Sequence, residues 1–173
     1  MSELENDLTE LEDEIQEIKG ALVADSITTL LPADPICVPE TVTVQDAVAR
    51  MLAGHQACVL VVDGERRLIG IFTERDVLTR VVGKDLDPRQ TPVRAVMTRD
   101  PEALSARDRV AYALNQMNGA GYRTIPLVDA DRRPIGVVTV TDIVRWLANL
   151  FPEAVLNLRP GDEIKRPEQI DAG

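Results

Sequence analysis

Two seven-residue stretches carry residue types able to do chemistry, in one order: Gly70-Ile71-Phe72-Thr73-Glu74-Arg75-Asp76 and Gly136-Val137-Val138-Thr139-Val140-Thr141-Asp142. In each, a glycine and two apolar residues read as the end of a strand, and the threonine as the first residue of a helix. A glycine there lets backbone or a ligand approach closely. The threonine hydroxyl sits where unpaired backbone amides and the helix dipole favour an anion such as phosphate. The aspartate follows within one turn, and a carboxylate there is placed to accept hydrogen bonds from the vicinal hydroxyls of a ribose. The same Thr-x-x-Asp spacing also describes a capping box, in which threonine and aspartate satisfy each other's backbone amides with no ligand. Both readings stay open at this point.

The two stretches are copies, since 136 − 70 = 66. Asp34-Pro35 returns as Asp100-Pro101, Met51 as Met117, Val62-Asp63 as Val128-Asp129 and Arg66-Arg67 as Arg132-Arg133. Over residues 34–82, 13 of 49 positions match the residue 66 further on, against about three by composition alone. An internal repeat sets the architecture. A unit near 60 residues is of the size at which a lone core is marginal, so the reading is one pseudo-symmetric body made of two copies.

The elements that must position the motif follow from periodicity. Residues 36–38 read as a short strand. Residues 43–54 read as a helix with Val44, Ala47, Val48 and Met51 on one face. Residues 58–63 and 67–72 form a hairpin around Gly64-Glu65-Arg66, and Thr73 opens a helix to about residue 82. The second copy repeats the order, with a helical turn at 93–97, a short strand at 102–104, a helix at 105–118, strands at 124–129 and 134–138, and a helix at 139–150. Each repeat is thus β-α-β-β-α, and the fold class is α/β (α+β). Before the repeats, Leu4, Leu8, Leu11, Ile15, Ile18 and Leu22 step by four and three, the seam of an amphipathic helix. It faces either a partner or the protein's own body. The expected divisions are 1–24 for this acidic helix, 25–90 and 91–150 for the repeats, and 151–173 for a tail against which Trp146 packs.

Composition bounds the function. The 173 residues carry net charge −10, and aromatic residues are only 3%. Residues 1–19 hold eight acids and one base, so the rest is nearly neutral. No basic stripe exists to displace the counterions of a nucleic acid. No apolar run reaches the roughly 18 residues of a membrane helix and no signal pattern opens the chain, so the expected location is the cytoplasm, with no membrane partner. Cys37 and Cys58 read as two thiols in a reducing compartment. His55 ends a helix, where a cation suits the dipole. Arg66-Arg67 and Arg132-Arg133 read as solvated turn residues. Nucleophile–base pairs, metal-ligand clusters and a phosphate loop of the Gly-x-x-x-x-Gly-Lys type are missing, which argues against an enzyme.

The order of the repeats, with Val93-Arg94-Ala95-Val96-Met97-Thr98-Arg99-Asp100-Pro101, Tyr122-Arg123-Thr124-Ile125-Pro126-Leu127-Val128-Asp129 and the Gly136–Asp142 heptapeptide, resembles a cystathionine-β-synthase (CBS) domain. The stretch from about residue 25 to 150 looks like a tandem pair, or Bateman module. The resemblance implies two repeats packed through their sheets, with clefts between them for AMP, ADP, ATP or S-adenosylmethionine. It also implies disc-like homodimers, no required cofactor, and regulation of an unidentified protein partner. Carried over by position, the ribose acid falls on Asp76 and Asp142, and the hydroxyl at the helix start on Thr73 and Thr139. The base-lining strand falls on Ile36, Cys37 and Val38, and on Glu102, Ala103 and Leu104. The segment before the hairpin falls on Ala57 and Cys58, and on Arg123, Thr124 and Pro126, with Tyr122 placed either to stack on a base or to cover the sheet. Arg75 and Arg123 are candidates for phosphate. The first repeat departs from the pattern, with Ala57 and Leu60 where the second has Arg123 and Pro126. The expected function is an adenosyl-ligand sensor; the alternative is a ligand-free dimerising scaffold that works through its acidic helix.

Overall fold

A computed structural model describes residues 13, 15, 16, 19–21 and 23–150. Most of the predicted N-terminal seam and the whole predicted tail lie outside these residues. Within the seam, Ile15 is helical and 40% exposed.

The first repeat runs β1 (Cys37–Pro39), α1 (Val44–Gly54), β2 (Cys58–Val62), β3 (Leu68–Thr73) and a helical segment that starts as α2 (Glu74–Asp76). That segment continues as a π turn at Val77–Val81 and a 3-10 turn at Val82–Lys84. The second runs β4 (Thr98–Arg99), α3 (Val110–Ala120), β5 (Thr124–Val128), β6 (Pro134–Thr139) and α4 (Val140–Leu150). The predicted strand at 102–104 reduces to Leu104, bridged in parallel to Leu127. The helix predicted from residue 105 begins at Val110, because residues 105–108 close a turn of their own. Ser105 N–H donates to Asp108 Oδ2 at 2.7 Å, and Arg109 ahead of the helix is extended. Such local side-chain bonds compete with helix.

The hairpins explain themselves. Asp63 Oδ1 accepts from the amides of Glu65 and Arg67, and Asp129 Oδ1 from those of Asp131 and Arg133, all at 2.8–2.9 Å. An aspartate that ties its own backbone two residues on is a turn former. The Arg67 amide and guanidinium hold the Asp63 carboxyl below its ordinary range.

Sheet order is β1-β2-β3-β4, with β5-β6 paired separately. β4, which leads into the second repeat, pairs with β3 of the first: Gly70 faces Arg99 and Ile71 faces Thr98. Ala33, which leads into the first repeat, pairs with Val137 of the second. Each repeat's entry strand therefore completes the other repeat's sheet. β2 is apolar on both faces, as expected of a strand covered on both sides. Val59 and Val61 pack with Val38, Ala47, Met51 and Phe72 against the helices, while Cys58 and Leu60 join Leu68, Ile71 and Val137 between the repeats. The second repeat has its own core of Ile27, Val110, Ala113, Ile125, Leu127, Ile143 and Trp146. Trp146 thus belongs to that core, where its indole N–H donates to Asp25 Oδ2 at 3.2 Å.

Arg132 corrects the reading of the turn arginines as merely solvated. Its Nε donates to Leu68 O at 3.3 Å and its Nη2 to Pro101 O at 3.3 Å and to Asp100 Oδ1. Leu68 N–H in turn donates to Arg132 O at 2.9 Å, so this side chain fastens one repeat to the other.

Candidate functional site

Both Thr-x-x-Asp motifs form complete capping boxes. Thr73 N–H and Oγ1–H donate to Asp76 Oδ2 at 2.9 and 2.8 Å, and Asp76 N–H returns to Thr73 Oγ1 at 3.4 Å. Thr139 and Asp142 repeat this at 2.8, 2.7 and 3.2 Å. Strand–helix junctions need such caps whatever else they do. The remaining carboxylate oxygen meets a guanidinium in each: Arg80 Nε lies 3.2 Å from Asp76 Oδ1, and Arg145 Nη1 lies 3.4 Å from Asp142 Oδ1. A carboxylate offers about four lone-pair positions. Oδ2 of Asp76 uses two and Oδ1 one, so one position on Oδ1 is left for another donor. Asp76 is 7% exposed.

The motif glycine has a different occasion from the one expected. A Cβ on Gly70 would lie 2.4 Å from Met97 Sδ, so it is the Met97 side chain that comes close.

Thr73 and Asp76 line a cleft of about 900 Å³. Its other wall comes from the second repeat, through Thr98, Pro101 and Glu102 on the entry strand and Tyr122, Arg123, Thr124 and Pro126 at the start of β5. Leu78, Thr79 and Arg80 from the π turn close one end. The wide turn matters locally, since Arg80 also donates from Nη1 to Val96 O at 2.9 Å. π turns occur often at functional sites. The cleft is therefore built by crossing the repeats, with the motif of the first set against the pre-hairpin segment of the second. The sequence reading names the motif and the pre-hairpin segment of both repeats without assigning which faces which. The entry strand marks the crossing: Thr98 and Arg99 open the second repeat yet pair with β3 of the first.

The remaining predicted site residues are placed as follows. Val38 is fully buried against the helices of its own repeat, and Leu104 packs on the core of the second. Cys37, Cys58 and Ala103 lie in the cluster between the repeats. Ile36 packs against the first core. These residues support the cleft or lie away from it. Both cysteines are free. Burial, with a smaller push from Glu74, raises the Cys58 thiol to about 12. Arg80, Leu78 and Thr79 were not singled out from the sequence, and nothing in the helical period marks the π turn that aims them. Among the described residues, no group of three or more His, Cys, Asp or Glu is arranged to hold a metal ion, and no helix is long and apolar enough to cross a membrane.

Comparison with known proteins identifies the family and the fold. The CBS domain family model matches residues 25–83 and 93–149. An uncharacterized 17.7 kDa protein of Acidianus ambivalens is 26% identical over 143 residues, 83% of this chain and 84% of that one. The Arabidopsis thaliana CBS domain-containing protein CBSCBSPB3 is 36% identical over 112 residues, 65% of this chain; the match spans only 19% of that protein's length. Among solved structures, the CBS domain pair of protein MJ0100, in complex with 5-methylthioadenosine and S-adenosylmethionine, superposes with a TM-score of 0.66 at 22% identity, covering 72% of this chain and 97% of that one. The CBS domain protein PAE2072 of Pyrobaculum aerophilum, complexed with AMP, gives 0.65 at 22% identity, covering 77% and 96%. Two copies of one β-α-β-β-α unit, each lending an entry strand to the other and each opening its last helix with a Thr-x-x-Asp cap, make this chain a member of the CBS domain family, as a tandem pair.

Proposed function

We propose that the chain is a regulatory module that binds an adenosyl compound in the cleft between its repeats. The observation that carries this is the meeting of Thr73 and Asp76 with Tyr122, Arg123 and Thr124 across one cavity of about 900 Å³. That volume falls in the range of small-molecule sites. The Asp76 Oδ1 position not used by Arg80 accepts a ribose hydroxyl, Tyr122 and Pro126 offer flat apolar surface for a base, and Arg123 stands ready for a charged group. AMP, 5-methylthioadenosine and S-adenosylmethionine are bound by structural neighbours, which supports this choice of ligand class. Because the walls come from different repeats, a ligand prefers one relative orientation of the two. It shifts the module by no more than its difference in affinity between orientations. A protein partner reads that orientation, in the cytoplasm, and the pairing habit of the family extends to a homodimer here. Leu52, Leu78 and Val82 are among the exposed apolar side chains that such a contact would cover.

Calorimetric titration with AMP, ATP and S-adenosylmethionine tests the reading. At least one binds, and Asp76→Asn weakens it by tenfold or more, about 1.4 kcal/mol, while circular dichroism stays unchanged. Equal affinity in the variant would reduce Asp76 to a helix cap.

One observation favours a second reading, a scaffold with empty clefts. Both motif carboxylates are already engaged by their own threonine and an arginine. Absence of heat and of any thermal shift with all three compounds at millimolar concentration selects it.

A further inference from the structure

The residues that border the two Thr-x-x-Asp motifs differ between the repeats. We infer that the chain takes one adenosyl ligand, of the phosphorylated class, in the Asp76 cleft, and that the pseudo-equivalent cleft beside Asp142 is filled by the protein's own side chains. This rests on the reading proposed above and adds to it stoichiometry and ligand charge.

Positions related by 66 residues allow a wall-by-wall comparison. The Asp76 cleft is bordered by three guanidinium groups, those of Arg75, Arg80 and Arg123. Their equivalents are Thr141, Trp146 and Ala57, and beside Asp142 a guanidinium comes instead from Arg145, engaged with that carboxylate at 3.4 Å. Trp146 is buried and bonded to Asp25, so it presents no donor to a ligand. Arg75 and Arg123 are exposed and take part in no ion pair among the described residues. Glu74 and Glu102 also border the cleft, so the field is mixed, and the two arginines must act by direct contact with an anionic group, as charge-assisted donors do.

The walls themselves differ. Around the Asp76 cleft, Pro101 and Glu102 stand opposite Ala120, Gly121 and Tyr122 with the cavity between them. The equivalent residues 35–36 and 54–56 are in contact. Ile36 Cδ1 would lie 2.5 Å from a Cβ on Gly54, so its side chain rests on that backbone. Gln56 Nε2, at the position equivalent to Tyr122, donates to Asp34 O at 2.6 Å. The helix that borders each cleft differs too: α4 is regular through Val140–Leu150, whereas Val77–Val81 is the π turn that brings Arg80 onto Asp76 and Val96.

The test combines calorimetry with photolabelling of the full chain. AMP is expected to bind at one site per chain and at least tenfold more tightly than adenosine. That preference falls to within about threefold in the Arg75→Ala, Arg123→Ala double variant, whose substituted side chains are exposed and whose fold is checked by circular dichroism. Irradiation with 8-azido-AMP is expected to label peptides from residues 73–80 or 98–126. Two equivalent sites per chain, label on residues 32–36 or 54–56, or an AMP preference that survives the double substitution would overturn the inference and leave the adenosyl reading standing. Failure of AMP, ATP and S-adenosylmethionine alike to bind would remove both.

Discussion

Asp76 serves two purposes with one carboxylate. Oδ2 ties the helix start, Oδ1 meets Arg80, and in the proposed function the lone pair left on Oδ1 accepts from a ligand. The capping and ligand readings of Thr-x-x-Asp, which exclude each other in outline, are compatible once the two oxygens are counted separately. Cys58 shows a residue whose chemistry is suppressed by position. Its thiol is raised to about 12, mainly by burial between the sheets. The unfolded thiol ionises near its ordinary value, about 8.5. The neutral thiol therefore contributes stability in full below that value, and the contribution is lost as pH rises from there toward the folded value. Iodoacetamide at pH 8.5 is expected to spare Cys58 in the native protein and modify it in urea. The alkaline fall in melting temperature above pH 9 should be blunted in Cys58→Ala relative to its own value at pH 7. Rapid native alkylation would show that the inter-repeat core opens readily.

Elements end where backbone geometry forces them to. α1 stops at His55, which holds φ 52°, and α3 stops at the equivalent Gly121, with φ 71°. A left-handed residue closes both helices, but only one of them is the residue that adopts it without a Cβ penalty. The sequence reading of His55 as a dipole-matched cation missed this, because a C-terminal histidine fits both roles. His55→Gly is expected to raise stability by about 0.5–1 kcal/mol in urea denaturation; a loss would show that the imidazole packs usefully against its neighbours in the groove with Val48 and Leu52. The late start of α3 has a similar cause. The helix is predicted from Ser105, yet the Ser105–Asp108 turn satisfies those backbone groups first.

At the scale of the whole molecule, neither repeat is complete alone. Ala33 finishes the sheet of the second repeat, β4 finishes that of the first, and Cys58, Leu60, Leu68, Ile71 and Val137 form a core that belongs to both. The Arg132 contacts to Leu68, Asp100 and Pro101 add a polar fastening across the same boundary. The expected consequence is one unfolding transition for both repeats. Leu60→Ala, at a fully buried position of the shared core, should cost about 2–5 kcal/mol and lower that single transition without splitting it. Two resolved transitions in calorimetry would mean that the repeats fold independently.

The duplication, the hairpin turns, the Thr-x-x-Asp spacing and most of the element order are legible in the residues alone. All of these depend on residues close together in the chain, whose periodicity and hydrogen-bonding habits act locally. Only the packing of the two repeats reveals that Asp76 shares a cleft with Tyr122 and Arg123, that Val38 and Leu104 pack in cores, that Gly70 makes room for Met97, and that Ile36 rests on Gly54 while Gln56 bonds to Asp34. Each of those depends on how one repeat crosses the other. Identical local signals in two copies carry no information about which copy's wall will stand opposite which motif.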